Sequence, residues 1–285
     1  KTLATLNHPN IAGVYGLHEA DGVRFLAMEL VPGEDLSTRL ERGPMPIDEA
    51  LEVATQIAEG LAAAHDGGVI HRDLKPANVR VAPDGRCRVL DFGLAKAVDA
   101  APASGSTPTV APTVTSAGTA AGIILGTAAY MSPEQARGKP VDRRTDVWAF
   151  GCVLYELLTA RVAFDGETVT DVLAAIVRSE PDYDLLPADT PPTVRRVIER
   201  CLRKAPRERL RDLGDIGLTL REVASGASDA STSGEAAVAQ AATPAPAART
   251  GVGWKAIAAV DPVFSPDENR IAFASSRGEG GVFVM

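Results

Sequence analysis

The longest regular pattern in the chain runs over residues 47 to 65, where Leu51, Ala54, Ile57, Ala58, Leu61 and Ala62 recur at helical spacing. That stripe predicts a core helix, ended by Gly67-Gly68. Ahead of it, residues 11 to 17 and 24 to 30 alternate apolar and polar positions, which predicts two strands joined at Asp21-Gly22, followed by a short helix near residues 35 to 41. Behind it, residues 79 to 81 and 87 to 90 read as the arms of a hairpin turning at Pro83-Asp84-Gly85. A strongly apolar helix is predicted from Asp146 through Leu158, and three more near residues 168 to 179, 192 to 203 and 212 to 223. Residues 1 to 6 read as the last turns of a helix, stopped at Asn7-His8-Pro9-Asn10.

Two stretches have no such pattern. Residues 99 to 122 are Ala, Ser, Thr, Pro and Gly with little else, longer than a compact domain usually carries without structure, so a mobile and switchable segment is expected there. Residues 225 to 250 share that composition and read as a flexible linker. The apolar run from Gly253 to Val260 is stopped by Asp261-Pro262, far short of the ~20 residues that a membrane helix needs.

Composition narrows the picture a little. At 285 residues, 45% hydrophobic and 23% charged, the chain can bury a full core. Its formal net charge of −8 argues against nucleic acid as a partner. Cys87, Cys152 and Cys201 are odd in number and far apart, which suits buried thiols in a reducing compartment, hence the cytoplasm, better than disulfides or zinc. The first residue is Lys1 and there is no signal peptide, so the chain reads as a piece of a longer protein.

The candidate chemistry lies in residues 70 to 93. Asp73, Lys75 and Asn78 share a loop in which Pro76 bars a helix, so all three polar side chains can turn towards one point. The hairpin then returns Asp91 beside Asn78. An Asn and an Asp converging with a Lys offer hard oxygen ligands to a magnesium ion that keeps most of its water and shares a polyphosphate. Asp73 is left free to accept a proton.

The stretch His71-Arg72-Asp73-Leu74-Lys75-Pro76-Ala77-Asn78, followed by Asp91-Phe92-Gly93, resembles the catalytic and metal loops of bacterial, eukaryotic-type serine/threonine protein kinases. The resemblance implies an α+β, protein-kinase-like bilobal fold over residues 1–224. It comprises a partial β N-lobe (1–31), a hinge and complete helical C-lobe (32–224), and a disordered linker (225–253). The final stretch, 254–285, resembles a hairpin of a TolB-type β-propeller repeat.

The resemblance also assigns roles. Asp73 deprotonates the substrate hydroxyl, Lys75 steadies the transferring phosphoryl group, Thr127 bridges the two, and Asn78 and Asp91 hold Mg2+. Around ATP, Met28 is the gatekeeper, the backbone of Glu29 and Val31 faces adenine, Asp35 reaches the ribose, and Arg80 replaces the usual aliphatic floor. His71, Arg72, Phe92 and Gly93 belong to the structural and regulatory frame, with Arg72 of the kind that pairs with a phosphate on the activation segment. Candidate acceptors there are Thr113, Thr115, Ser116 and Thr119. Residues 132 to 134, Ser-Pro-Glu, resemble the Ala-Pro-Glu motif; Glu134 is expected to form a buried ion pair with Arg209, and Asp146 to cap the backbone of the catalytic loop.

The expected activity is transfer of the γ-phosphoryl group of ATP to Ser and Thr of protein substrates, with self-phosphorylation in 99–122, and the longer parent could carry a membrane anchor. The 285 residues contain no glycine-rich loop, paired lysine or paired glutamate of the family's N-lobe, so low activity is expected of this chain. Two rivals stand beside this reading: a catalytically silent binding module of the same fold, and a small-molecule phosphotransferase. The Arg72, Lys75 and Thr127 set and the Ser-Pro-Glu segment, a platform for a peptide, speak against the second.

Overall fold

The computed structural model describes residues 6–20, 23–92, 128–226, 272–275 and 282–284. Two strands come first, β1 (Val14–Ala20) and β2 (Val23–Met28), antiparallel, with a register shift between Val14 and Gly16. A second, three-stranded sheet in sequence order joins β3 (Glu34–Asp35), β4 (Val79–Val81) and β5 (Cys87–Val89). The helices are α1 (Leu36–Leu40), α2 (Ile47–Asp66), α3 (Pro133–Ala136), α4 (Arg144–Thr159), α5 (Val169–Arg178), α6 (Pro192–Cys201) and α7 (Leu213–Ala224). Among the described residues no helix is long and apolar enough to cross a membrane.

The core is helical. The stripe on α2 buries Leu51, Ala54, Ile57, Ala58 and Leu61 against α7, α4 and β5, while α4 is buried nearly all round and also packs on α6. Helix ends follow local chemistry: Thr168 and Asp171 form a reciprocal capping box on α5, and Asp212 caps α7 through the Gly214 N–H at 2.8 Å.

One boundary differs from the sequence expectation. Residues 11 to 17 do not form a single strand: β1 begins at Val14, and the three residues from Asn10 to Ala12 instead pair with β5. The Val89 N–H donates to Asn10 O at 2.9 Å and the Ala12 N–H to Val89 O at 3.0 Å. The cause is Asn10, whose amide nitrogen donates to Cys87 O and to Gln56 Oε1, both at 3.0 Å, and so binds this corner to the hairpin rather than to β2. A β-carbon on Gly60 of α2 would lie 2.8 Å from Asn10 O, so only glycine lets the helix come this close.

Most of residues 225 to 285 lies outside the described residues, as do Thr113, Thr115, Ser116 and Thr119. Of the tail, β6 (Ala272–Ser275) and β7 (Val282–Val284) pair antiparallel, and β6 extends the first sheet by pairing with β2 at Phe25 and Leu26.

Candidate active site

The loop after α2 enters a single 3-10 turn, Pro76–Asn78, with Pro76 in the first position, where a missing N–H costs nothing. The turn swings Asn78 back, and its amide nitrogen donates to Asp73 O at 2.9 Å and to Asp73 Oδ2 at 3.4 Å. Lys75 Nζ lies 3.1 Å from the same carboxylate oxygen. The Asp73 side chain stays 43% exposed, so a carboxylate held from behind is presented to solvent.

What holds the loop is Asp146, in the first turn of α4 and fully buried. Its two oxygens accept the backbone N–H groups of His71 and Arg72, each at 2.8 Å, and Oδ2 also meets His65 Nε2 at 2.7 Å. His71 is buried too. Its Nε2 faces Leu90 O at 2.8 Å and its Nδ1 accepts the Asp73 N–H at 3.2 Å, which fixes a neutral ring protonated at Nε2. Burial agrees, pushing the His71 pKa below its ordinary value against the opposing pull of Asp146. One neutral imidazole therefore ties the catalytic loop to the end of the hairpin, with Phe92 packed 4.6 Å from it, centroid to centroid.

The hairpin delivers Asp91 as expected from its length: the Leu90 N–H donates to Asn78 O at 2.8 Å, which sets positions 78 and 91 side by side. Asp91 and Arg72 both have positive φ, 54° and 67°, a conformation that a non-glycine residue keeps only where its surroundings impose it. Although Asp91 is exposed on its outer side, the protein behind it withdraws water and pushes its pKa up, with Asp73 adding to the effect and His71 and Lys75 opposing it. A carboxylate whose charge is disfavoured in this way is one that a divalent cation would relieve. Asn78 turns its nitrogen to Asp73, so its oxygen is the atom it could offer a cation as a second hard ligand. Among the described residues no group of three or more His, Cys, Asp and Glu side chains converges, so a cation here would draw its remaining ligands from water and phosphate, the habit of magnesium.

The segment that connects β2 to α1 lies over the hairpin. Met28 is buried with Ala12 and Val31 against Leu90. The Glu29 carboxylate accepts Gly13 N–H at 3.0 Å and Arg88 Nη1 at 2.6 Å, and Arg80 Nη1 donates to Val31 O and Gly33 O, both at 3.1 Å. Asp35 caps α1, accepting Thr38 N–H at 3.0 Å, Thr38 Oγ1 at 3.1 Å and the Ser37 hydroxyl, so a ribose would have to share an occupied carboxylate. Gly93 and Thr127 lie outside the described residues.

Beyond the loop, Arg209 grips Glu134 through two parallel bonds of 2.6 and 2.7 Å, both groups buried, and also donates to Arg203 O, Arg144 O and Lys204 O. Sequence reasoning missed three partners. His65 was legible only as a residue near a helix end. Gln135, whose side chain donates to Arg72 O at 2.8 Å, occupies the third position of a capping box begun by Ser132, a signal that spacing alone does show. Arg88 carries no signal until the hairpin register sets it opposite Arg80.

A carboxylate with a lysine and an asparagine on one loop, a second acid brought beside that asparagine, and a buried Asp–backbone clamp beneath them form the arrangement expected of the protein-kinase class. The chain belongs to the protein kinase domain family, which residues 1–213 match. It is similar to the serine/threonine-protein kinase PknA of Mycobacterium tuberculosis, 38% identical over 232 residues, which cover 79% of this chain and 50% of that protein. It is also similar to the serine/threonine-protein kinase PknB of Mycobacterium leprae, 35% identical over 78% of this chain and 35% of that protein, and to the serine/threonine-protein kinase pkn2 of Myxococcus xanthus, 39% identical over 70% and 22%. The chain thus spans about half the length, or less, of these curated relatives.

Proposed function

We propose that this protein transfers the γ-phosphoryl group of ATP to serine and threonine hydroxyls of protein substrates. The observation that carries the reading is Asp73, open to solvent yet held by Asn78 and flanked by Lys75 at 3.1 Å. In this reading Asp73 accepts the proton of the incoming hydroxyl as its oxygen attacks the γ-phosphorus, while the bond from that phosphorus to the β,γ-bridging oxygen breaks and ADP leaves. Lys75, beside it, offsets the negative charge of the transferring group. Asn78 and Asp91 would hold a magnesium ion, which would supply positive charge to neutralise the phosphate oxygens. Asp146 acts through the backbone of His71 and Arg72 and is a positioning residue. The buried free thiols of Cys87, Cys152 and Cys201 support a reducing, cytoplasmic setting.

The acceptor is tested by incubating the chain with γ-labelled ATP, magnesium, a generic basic protein and a mixture of sugars and aminoglycosides. Label on protein Ser and Thr is the expected result. Label confined to the small molecules would overturn the reading in favour of the small-molecule phosphotransferase.

A further inference from the structure

Arg80 and Arg88 stand directly opposite each other across β4 and β5. Like charges in register destabilise an antiparallel pair, so two arginines there call for an account in terms of what they bind. Both reach the same short segment. Arg88 pairs with the Glu29 carboxylate at 2.6 Å, and that carboxylate also receives Gly13 N–H at 3.0 Å. Arg80 divides one Nη1 between the carbonyls of Val31 and Gly33, both at 3.1 Å. The intervening backbone is closed down on the same hairpin: Gly33 has φ +98°, and a β-carbon there would lie 2.0 Å from Val81 O. Glu34 and Asp35 then pair with Val81 and Arg80 as β3. Residues 29, 31 and 33 are therefore gripped on alternate positions, all three by the two guanidinium groups on one face of a hairpin.

We infer that Arg80 and Arg88 form a two-arginine clamp that fixes the connecting segment and thereby sets how its backbone meets a purine, making both positioning residues for base specificity. The inference rests on the kinase reading, in which the Glu29 carbonyl and the Val31 N–H face the base. An acceptor followed by a donor matches the amino group and N1 of adenine and opposes the oxygen and N1–H of guanine. With Val31 O held by Arg80 at one end and Glu29 held at the other by Arg88 and by its N–H to Gly13 O, the two peptides between them, 29–30 and 30–31, are restrained from flipping to offer the reverse pattern. A segment free to flip would discriminate less. Arg80 serves here as a planar fork, which lysine does not reproduce.

The test uses the whole chain and the variants Arg80→Leu, Arg80→Lys and Arg88→Leu. Hydrogen exchange is followed at residues 29–35, with the α2 amides as the control for folding, and Mg·ATP and Mg·GTP binding are titrated. We expect exchange over 29–35 to accelerate about tenfold in Arg80→Leu and in Arg88→Leu, with α2 unchanged and Arg80→Lys in between, as losing a charge-assisted hydrogen bond would produce. The preference for ATP over GTP falls by a similar factor in both leucine variants. Unchanged exchange in both leucine variants overturns the clamp, and faster exchange with an unchanged ATP to GTP ratio overturns its role in specificity. Should either leucine variant lose the α2 protection, Arg80→Lys decides in the same way. Absence of binding by the unmodified chain would count against the kinase reading, while exchange would still decide the clamp.

Discussion

At Asp146 one buried carboxylate satisfies two backbone donors and a histidine, so nothing else in the pocket can replace it. Asp146→Ala is expected to cost ~3 to 5 kcal/mol by urea unfolding, as removing one member of a buried charged network does, and to displace the loop that carries Asp73. His71 makes a prediction in pH. Its folded pKa is depressed by burial, so the stability it contributes is complete above its ordinary value of 6.5 and is lost as pH falls below that value towards the lower folded one. Asp91 has the opposite sign: a carboxyl whose folded pKa is raised takes up its proton earlier in the folded state, so it adds no loss over the same range. The difference in unfolding free energy between the unmodified chain and His71→Gln should therefore shrink on acidification below pH 6.5, by up to about 1.4 kcal/mol per pH unit. A difference independent of pH would mean that the ring is not held neutral.

Among the elements, the short segment before α1 is the most tightly specified. Gly33→Ala brings a β-carbon against the Val81 carbonyl and forces a non-glycine residue into positive φ, so a loss of ~2 to 4 kcal/mol in thermal or urea unfolding is expected, against a smaller loss of ~1 to 2 kcal/mol for Gly43→Ala, where the β-carbon would meet nothing within 4 Å and only the positive φ is costly. How far the elements could be read in advance follows from how local their signals are. The α2 stripe and the hairpin announced themselves by period and by turn residues, and both lie within a residue or two of where they were expected. The start of β1 did not, because Ile11 and Ala12 look like strand residues but make only an isolated bridge, to Val89 of β5, chosen by the amide of Asn10 across a long stretch of chain. Likewise the Arg80 and Arg88 pair depends on cross-strand register, which alternation along one strand does not contain.

Across the molecule, the site depends on ties between regions distant in sequence. Asp146 of α4 holds the catalytic loop, Gln135 of α3 binds its Arg72 carbonyl, and Arg209 anchors α3 through Glu134 while lying 5.0 Å from the Trp148 ring. Arg209→Met leaves Glu134 buried without its partner, and a loss of ~3 to 5 kcal/mol is expected by chemical denaturation. The double variant Arg209→Met with Glu134→Leu should recover part of it, since what destabilises is the stranded charge rather than the missing pair. The family was legible because its motif needs few groups at fixed spacing, and Asp73, Lys75, Asn78 and Asp91 do come together in the fold; the network that positions them was not, since His65, Gln135 and Arg88 acquire partners only once the chain is folded.

The central claim is that Asp73 is the group on which phosphoryl transfer turns. The measurement that tests it is the rate of label transfer from γ-labelled ATP to protein Ser and Thr, by the unmodified chain and by Asp73→Asn, side by side with magnesium. Measurable transfer is expected from the unmodified chain, falling by about 10²- to 10⁴-fold in the variant, as loss of a general base does. Equal rates in the two proteins, or no transfer by either, would contradict it.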